Sequence, residues 1–215
     1  MISLYLFGIV VLAYLFGSIP TAVWFGQAFY GVDVREYGSG NAGATNTFRV
    51  LGKKAGIIVM SVDIFKGWTA TNLPHLLDSS IVGTTDSISF VNFQLALGVI
   101  AVLGHLFPIF AGFRGGKGVA TLFGMVIAIQ PMAALCCVTV FLVCLIISNY
   151  VSLSSISAGF TFPISLALII KTTVPSVMLY AIAICILILI THQKNIERLL
   201  KGKESKIYLF KKSEK

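Results

Sequence analysis

The chain has 215 residues, of which 57% are hydrophobic and only 11% charged, and its mean hydropathy is +0.93. That balance excludes an ordinary soluble domain, where about a quarter of residues carry charge. The formal charge of +8 does not point to nucleic acid either, because the basic residues stand at the ends of apolar runs and in a tail, with no soluble domain to present them.

A helix needs ~20 apolar residues to cross ~30 Å of hydrocarbon. Apolar runs of that order predict an all-α polytopic membrane bundle with seven transmembrane helices, near residues 2–24, 54–73, 90–111, 118–130, 132–149, 153–171 and 175–193. A single membrane domain over 1–215 follows. The first run, Ile2 to Phe25, has neither a preceding basic residue nor a small-residue cleavage site, so it reads as a retained span rather than a signal peptide. From Gly118 to Ile147 one helix would be about 45 Å long. Gln130-Pro131 interrupts it, and proline removes a backbone donor, so two short helices are expected.

Orientation follows from Lys and Arg, which concentrate on the cytoplasmic side. With the amino terminus outside, seven spans put Arg35, Arg49, Lys53, Lys54, Arg114 and Lys117 in cytoplasmic loops. The carboxy terminus is then cytoplasmic too, and residues 193–215 form a basic tail with Lys194, Arg198, Lys201, Lys203, Lys206, Lys211, Lys212 and Lys215. Only Lys66 and Lys171 fall elsewhere, whereas Asp78, His75 and Asp86 lie on the outer side. Six spans would separate the basic tail from the basic first loop. The tail from Asn195 also spaces Ile196, Leu199 and Leu200 as a short amphipathic surface segment. Cys136, Cys137, Cys144 and Cys185 sit in apolar runs without histidine partners, so no metal site is expected.

Polar chemistry concentrates in three places predicted to share the cytoplasmic side. Loop one, Gly31 to Lys54, alternates Gly38, Gly40 and Gly43 with Ser39, Asn41, Thr45 and Asn46. Closely spaced glycines let backbone amides converge on an oxyanion or phosphate, and Arg49 adds a planar fork for bidentate contact. Loop two, Gly104 to Thr121, places Gly115-Gly116-Lys117-Gly118 just before an apolar helix, whose amino terminus favours an anion. Its spacing does not match a nucleotide P-loop. Considered without its glycines, Lys117 reads first as a snorkelling, positive-inside anchor. In the third cluster, Thr191, His192, Asn195, Arg198, Gly202, Glu204 and Lys206 follow the last span; on a continued helix His192 and Asn195 share a face. Ser152 occupies the remaining cytoplasmic turn. Asp63 and Lys66, three apart inside the second span, read as a pair that neutralises itself, and His105 as a hydrogen-bonder at a helix end.

Gly17-Ser-Ile-Pro20, YGSGNAGATNTFR from Tyr37 to Arg49, GHLFPIFAGFRGGKGVAT from Gly104 to Thr121 and HQKNIERLLKGKES from His192 to Ser205 together resemble one family, the acyl-phosphate-dependent glycerol-3-phosphate acyltransferases (PlsY). The match runs in order along nearly the whole chain; Arg114 stands where many members have Lys. The resemblance implies a seven-span enzyme of the bacterial cytoplasmic (inner) membrane with its site on the cytoplasmic side. It implies transfer of an acyl group from acyl phosphate to the sn-1 hydroxyl of glycerol 3-phosphate, giving lysophosphatidic acid and phosphate, with no metal, no cofactor and no acyl carrier protein. Carried over as catalytic are Ser39, His192 and Asn195. Gly40, Asn41, Arg49, Gly115, Gly116, Lys117, Gly118 and Ser152 are carried over as substrate-binding. The amides of Gly115 to Gly118 with Ser39 are expected to cradle the acyl-phosphate headgroup, while Arg49, Lys117, His192 and Asn195 hold glycerol 3-phosphate. The acyl chain is expected between spans, against the lipid bilayer. The rival from another class is a secondary transporter of phosphorylated solutes, which would favour a midplane site and inverted halves. No such repeat is visible. A purely structural membrane subunit gives no reason for three phosphate-suited clusters.

Overall fold

A computed structural model of the protein describes residues 2–85 and 87–207; Asp86 and the tail positions Lys211, Lys212 and Lys215 lie outside the described residues. Among the described residues the regular structure is entirely helical. The chain divides into two compact units, Met1–Pro131 and Met132–Lys215.

The first unit opens with α1 (Ile2–Ser18) and α2 (Thr21–Tyr30). The single span expected over 2–24 is divided into these two helices, which are bent by 46° to one another. Pro20 is the cause: it lacks an amide and pushes Ile19 out of the helical region. Loop one contributes a 3₁₀ turn at Val34–Glu36 and the short α3 (Ala44–Val50). Gly52, at φ +87°, then turns the chain into α4 (Lys53–Asn72). After α5 (Ser79–Val82), α6 (Ile88–Leu106) starts on Ser87, whose hydroxyl accepts from the Phe90 amide at 3.2 Å. Loop two makes a 3₁₀ turn at Ile109–Ala111 and enters α7 (Val119–Ile129).

Two helix pairs hold this unit, α4 with α7 and α1 with α6. Each meets through glycines on both sides. A Cβ on Gly67 of α4 would lie 2.1 Å from the Thr121 carbonyl oxygen, and one on Gly124 of α7 would lie 1.9 Å from that of Ile64. Between α1 and α6, Gly17 meets the Ala101 carbonyl and Gly104 that of Tyr14. Lipid tails are as apolar as Leu, so close backbone approach is what favours helix contact in a bilayer. Ala13, Ala70, Leu73, Leu97 and Ala101 fill one core, and Ala22, Val34 and Val59 a second one beneath loop one.

The second unit contains α8 (Pro131–Ser148), α9 (Val151–Ser165), α10 (Pro175–Thr191) and α11 (Gln193–Leu200). The expected break before Pro131 is present, with Gln130 out of helical geometry between α7 and α8. Within α9, Pro163 removes an amide, and the helix continues as a π turn over Leu166–Ile170. α10 and α11 do not form one continued helix: they bend by 62° at His192, whose carbonyl accepts from the Asn195 and Ile196 amides of α11.

By length and composition three helices qualify to cross a membrane, Ile88–Ala111, Pro131–Ser148 and Val151–Ile170, or up to five if each bent pair counts as one span. Two expected spans differ for identifiable reasons. α7 has eleven residues, about 16 Å of helix. α4 has length enough at twenty residues but carries Asp63 and Lys66. Large apolar side chains such as Ile147, Leu168 and Leu179 are at least 70% exposed. That surface suits lipid rather than water.

Candidate active site

Loop one is organised by Asn46, in the first turn of α3 and 1% exposed. Its Oδ1 accepts from the Ser39 amide at 2.8 Å and from Ser39 Oγ at 3.1 Å. Its Nδ2 donates to the carbonyls of Val34 at 2.7 Å and Tyr37 at 3.1 Å. All four interactions need an amide side chain, which offers acceptor and donor together. Gly38 is required beside it, with φ +61° and a position where a Cβ would come within 2.4 Å of Asn46 Oδ1. Ser39 and Gly40 are thereby presented at the surface, Asn41 is half-buried, and Arg49 follows in the last turn of α3.

Arg35 joins loop one to loop two. Its guanidinium grips Asp33, with Nε at 3.0 Å from Oδ1 and Nη2 at 2.7 Å from Oδ2, while Nη1 donates to the Ala111 carbonyl at 2.8 Å. The Arg35 hydrogen bond holds the Asp33 carboxyl below its ordinary value, against the opposing effect of burial.

Loop two corrects one expectation. The Gly115 amide donates to the Leu106 carbonyl and the Gly116 amide to that of His105, both at 3.2 Å. These two amides are therefore committed to the end of α6 rather than open to a phosphate. Both positions demand glycine for closeness: a Cβ on Gly115 would meet the His105 carbonyl oxygen at 1.9 Å, and one on Gly116 would meet His105 Nε2 at 2.2 Å. Lys117 follows, then Gly118 at φ +80° caps α7. The amides of that first turn have no acceptor within the helix, the arrangement that suits an anion.

Beneath loop two lies a buried polar cluster. Lys66 Nζ bridges Asp63 Oδ1 at 2.9 Å and the Ile19 carbonyl at 2.8 Å, which the Pro20 break leaves available. Thr21 Oγ1 donates to the same Asp63 oxygen at 3.1 Å, and His105 Nδ1 lies 3.7 Å from it. Asp63 and Lys66 thus neutralise each other as the sequence suggests. A small pocket above them is lined by Thr21, Ala42, Lys66, His105, Gly115 and Gly116, so it touches both loops.

In the second unit, Ser152 and Asn195 meet on Glu204. Glu204 is buried; its Oε1 accepts from Ser152 Oγ at 2.9 Å and Asn195 Nδ2 at 2.7 Å, and its Oε2 from Arg198 Nε at 2.6 Å. Burial works to raise its pKa, but the bonds from Arg198, Asn195 and Ser152 prevail and hold it below the ordinary 4.5. His192, buried at the bend, points Nδ1 at the Ile188 carbonyl at 2.8 Å. A carbonyl only accepts, so Nδ1 carries the proton, and any basic role falls to Nε2.

The candidates therefore separate into Ser39, Gly40, Asn41, Arg49 and Gly115 to Gly118 in the first unit, tied through Arg35, and Ser152, His192 and Asn195 in the second. Three side chains that hold these groups are absent from the sequence-derived site. Asn46 looked like one more loop donor and Arg35 like one more basic residue. Glu204 was the clearest signal, an acidic residue inside a strongly basic tail.

A family model described as glycerol-3-phosphate acyltransferase matches residues 7–202. Curated relatives with the same description include one from Enterococcus faecalis, 43% identical over 207 residues, covering 93% of this chain and 90% of the relative. One from Listeria monocytogenes is 45% identical over 199 residues, covering 92% and 94%, and one from Chlorobaculum tepidum is 37% identical over 226 residues, covering 95% and 97%. Two crystal structures of PlsY (YgiH), an integral membrane glycerol 3-phosphate acyltransferase, share the fold at TM-score 0.80 and 38% identity. One is the glycerol 3-phosphate form, covering 96% of this chain and all of that one; the other is the lysophosphatidic acid form, covering 95% and 96%. With agreement along nearly its entire length, the chain belongs to the glycerol-3-phosphate acyltransferase family.

Proposed function

We propose that the protein transfers an acyl group from acyl phosphate to the sn-1 hydroxyl of glycerol 3-phosphate, releasing lysophosphatidic acid and phosphate. It does so as one seven-span domain of the bacterial inner membrane, with the amino terminus outside and the site and tail in the cytoplasm. The observation that carries this reading is the joining of two glycine-rich, cation-bearing loops through Arg35, so that both loops contribute to each of two phosphate-bearing substrates. The glycerol 3-phosphate and lysophosphatidic acid forms of the similar PlsY structures support it.

Ser39 and the first turn of α7 face the acyl-phosphate headgroup, with Gly40, Asn41 and Gly118 shaping the approach. Arg49, Lys117, His192 and Asn195 serve glycerol 3-phosphate, with Ser152 a further substrate-binding residue. The glycerol hydroxyl oxygen attacks the acyl carbon, the bond from that carbon to the phosphate oxygen breaks, and phosphate leaves with the electron pair. Acyl phosphate already has a good leaving group, so fixing two anions and stabilising charge on the carbonyl oxygen supply most of the acceleration. The hydroxyl proton passes to the departing phosphate, with His192 Nε2 as the alternative acceptor. Ser39 Oγ donates to an amide oxygen rather than to a base, which favours a hydrogen-bonding role over a covalent one. No metal, cofactor or acyl carrier protein is required.

Purified protein in detergent, given acyl phosphate and glycerol 3-phosphate without added metal, should release lysophosphatidic acid and phosphate in equal amounts. Arg49→Ala and Lys117→Ala each remove a charge-assisted phosphate contact worth about 1.5–3 kcal/mol, or roughly 10- to 100-fold in kcat/KM. Both should still insert in the membrane. Near-normal turnover at limiting glycerol 3-phosphate would remove those residues from the site, and product formed only from a carrier-protein thioester would overturn the donor.

A further inference from the structure

The Asp63–Lys66–His105 cluster lies outside every role assigned above, yet it abuts the segment that presents Lys117. We propose that His105 is a positioning residue that sets the place of Lys117 through direct contact with Gly116. This rests on the reading of Lys117 as a glycerol 3-phosphate contact.

Three observations converge on it. The imidazole touches Gly116 so closely that even a methyl group there would overlap Nε2 at 2.2 Å. The backbone of the same residue accepts the Gly116 amide at 3.2 Å, so ring and carbonyl hold one glycine from two sides. The ring itself is 6% exposed, and its other nitrogen lies 3.7 Å from Asp63 Oδ1, an electrostatic neighbour beyond hydrogen-bond distance. Asp63 is in turn fixed by Lys66 and Thr21, and Lys66 by the Ile19 carbonyl. The chain of contacts therefore runs from the Pro20 break, through α4 and the end of α6, to the residue beside Lys117. A neutral hydrocarbon would have filled this space at lower cost than ionisable groups in a membrane helix. What an imidazole adds is a rigid planar face toward Gly116 and a polar edge toward Asp63.

The test compares His105→Leu, His105→Asn, Lys117→Ala and the double variant His105→Leu/Lys117→Ala in detergent, measuring KM for glycerol 3-phosphate, kcat and thermal unfolding. His105→Asn keeps a polar group at the Nδ1 position. His105→Leu should raise KM for glycerol 3-phosphate about tenfold with a smaller change in kcat, as expected for lost ground-state binding, and His105→Asn should restore most of it. Because the effect acts through Lys117, the double variant should be no worse than Lys117→Ala alone. An additive double variant, or a His105→Leu protein that unfolds earlier while its KM stays normal, would overturn the proposal. If Lys117→Ala itself leaves KM unchanged, the site reading fails, and this positioning role falls with it; a KM effect in Lys117→Ala without one in His105→Leu overturns the positioning role alone.

Discussion

At the scale of single residues, Asn46 decides whether loop one has a shape. Asn46→Ala would remove the four hydrogen bonds that shape loop one, each worth about 0.5–1.5 kcal/mol. The expected outcome is normal membrane insertion with activity down at least about tenfold. Asn46→Asp should fall between, since it keeps the acceptor and loses both donations; steady-state assays on purified variants check the order. Gly38→Ala should resemble Asn46→Ala, because its methyl group meets the same Oδ1. Local sequence shows that this loop is rich in donors, but not which donor is spent inside it. That choice depends on which amide becomes buried when α3 folds.

Among helices, the α4–α7 contact and the Glu204 latch make separate predictions. Gly124→Leu would force its side chain into the Ile64 carbonyl at the closest point of that helix pair. Overpacking of this kind costs about 1–3 kcal/mol or more, so earlier thermal unfolding in detergent is expected, with no specific change in KM. The latch ties α9 and α11 through one carboxylate. Its folded pKa lies below the ordinary 4.5, so the unfolded state binds the proton more readily. The latch's contribution is therefore complete above about pH 4.5 and fades as pH falls through the lower folded value. Glu204→Gln should unfold earlier than wild type at neutral pH, and the gap should close as the solution is acidified through that range. A gap that stays constant with pH would show that the carboxylate's charge contributes nothing.

For the whole molecule, the charge distribution predicts sidedness. Single cysteines placed at Ser39 and Lys203 in a background lacking the four native cysteines should react with a membrane-impermeant maleimide only from the cytoplasmic face, and one at Asp78 only from outside. Reaction of the Ser39 and Lys203 positions from opposite faces would end the seven-span topology. The bent pairs α1–α2 and α10–α11 are where such a map is most informative, because each can serve as one broken span.

Composition together with the length of the apolar runs determines that the protein is a membrane helical bundle, since an ordinary soluble domain carries about twice this share of charge. The order of its glycine-rich motifs determines its family. Pro131 marks a helix end because the chemistry of proline is local. Pro20 follows the same rule, but it sits inside an otherwise continuous apolar run, where hydropathy hides the bend. Tertiary structure alone decides that Gly115 and Gly116 spend their amides on α6, that Ser152 and Asn195 converge on Glu204, and that His105 sits against Gly116. Each of these pairings joins residues that only folding makes neighbours, and hydrogen bonding depends on distance and angle in space, which spacing along a chain does not encode.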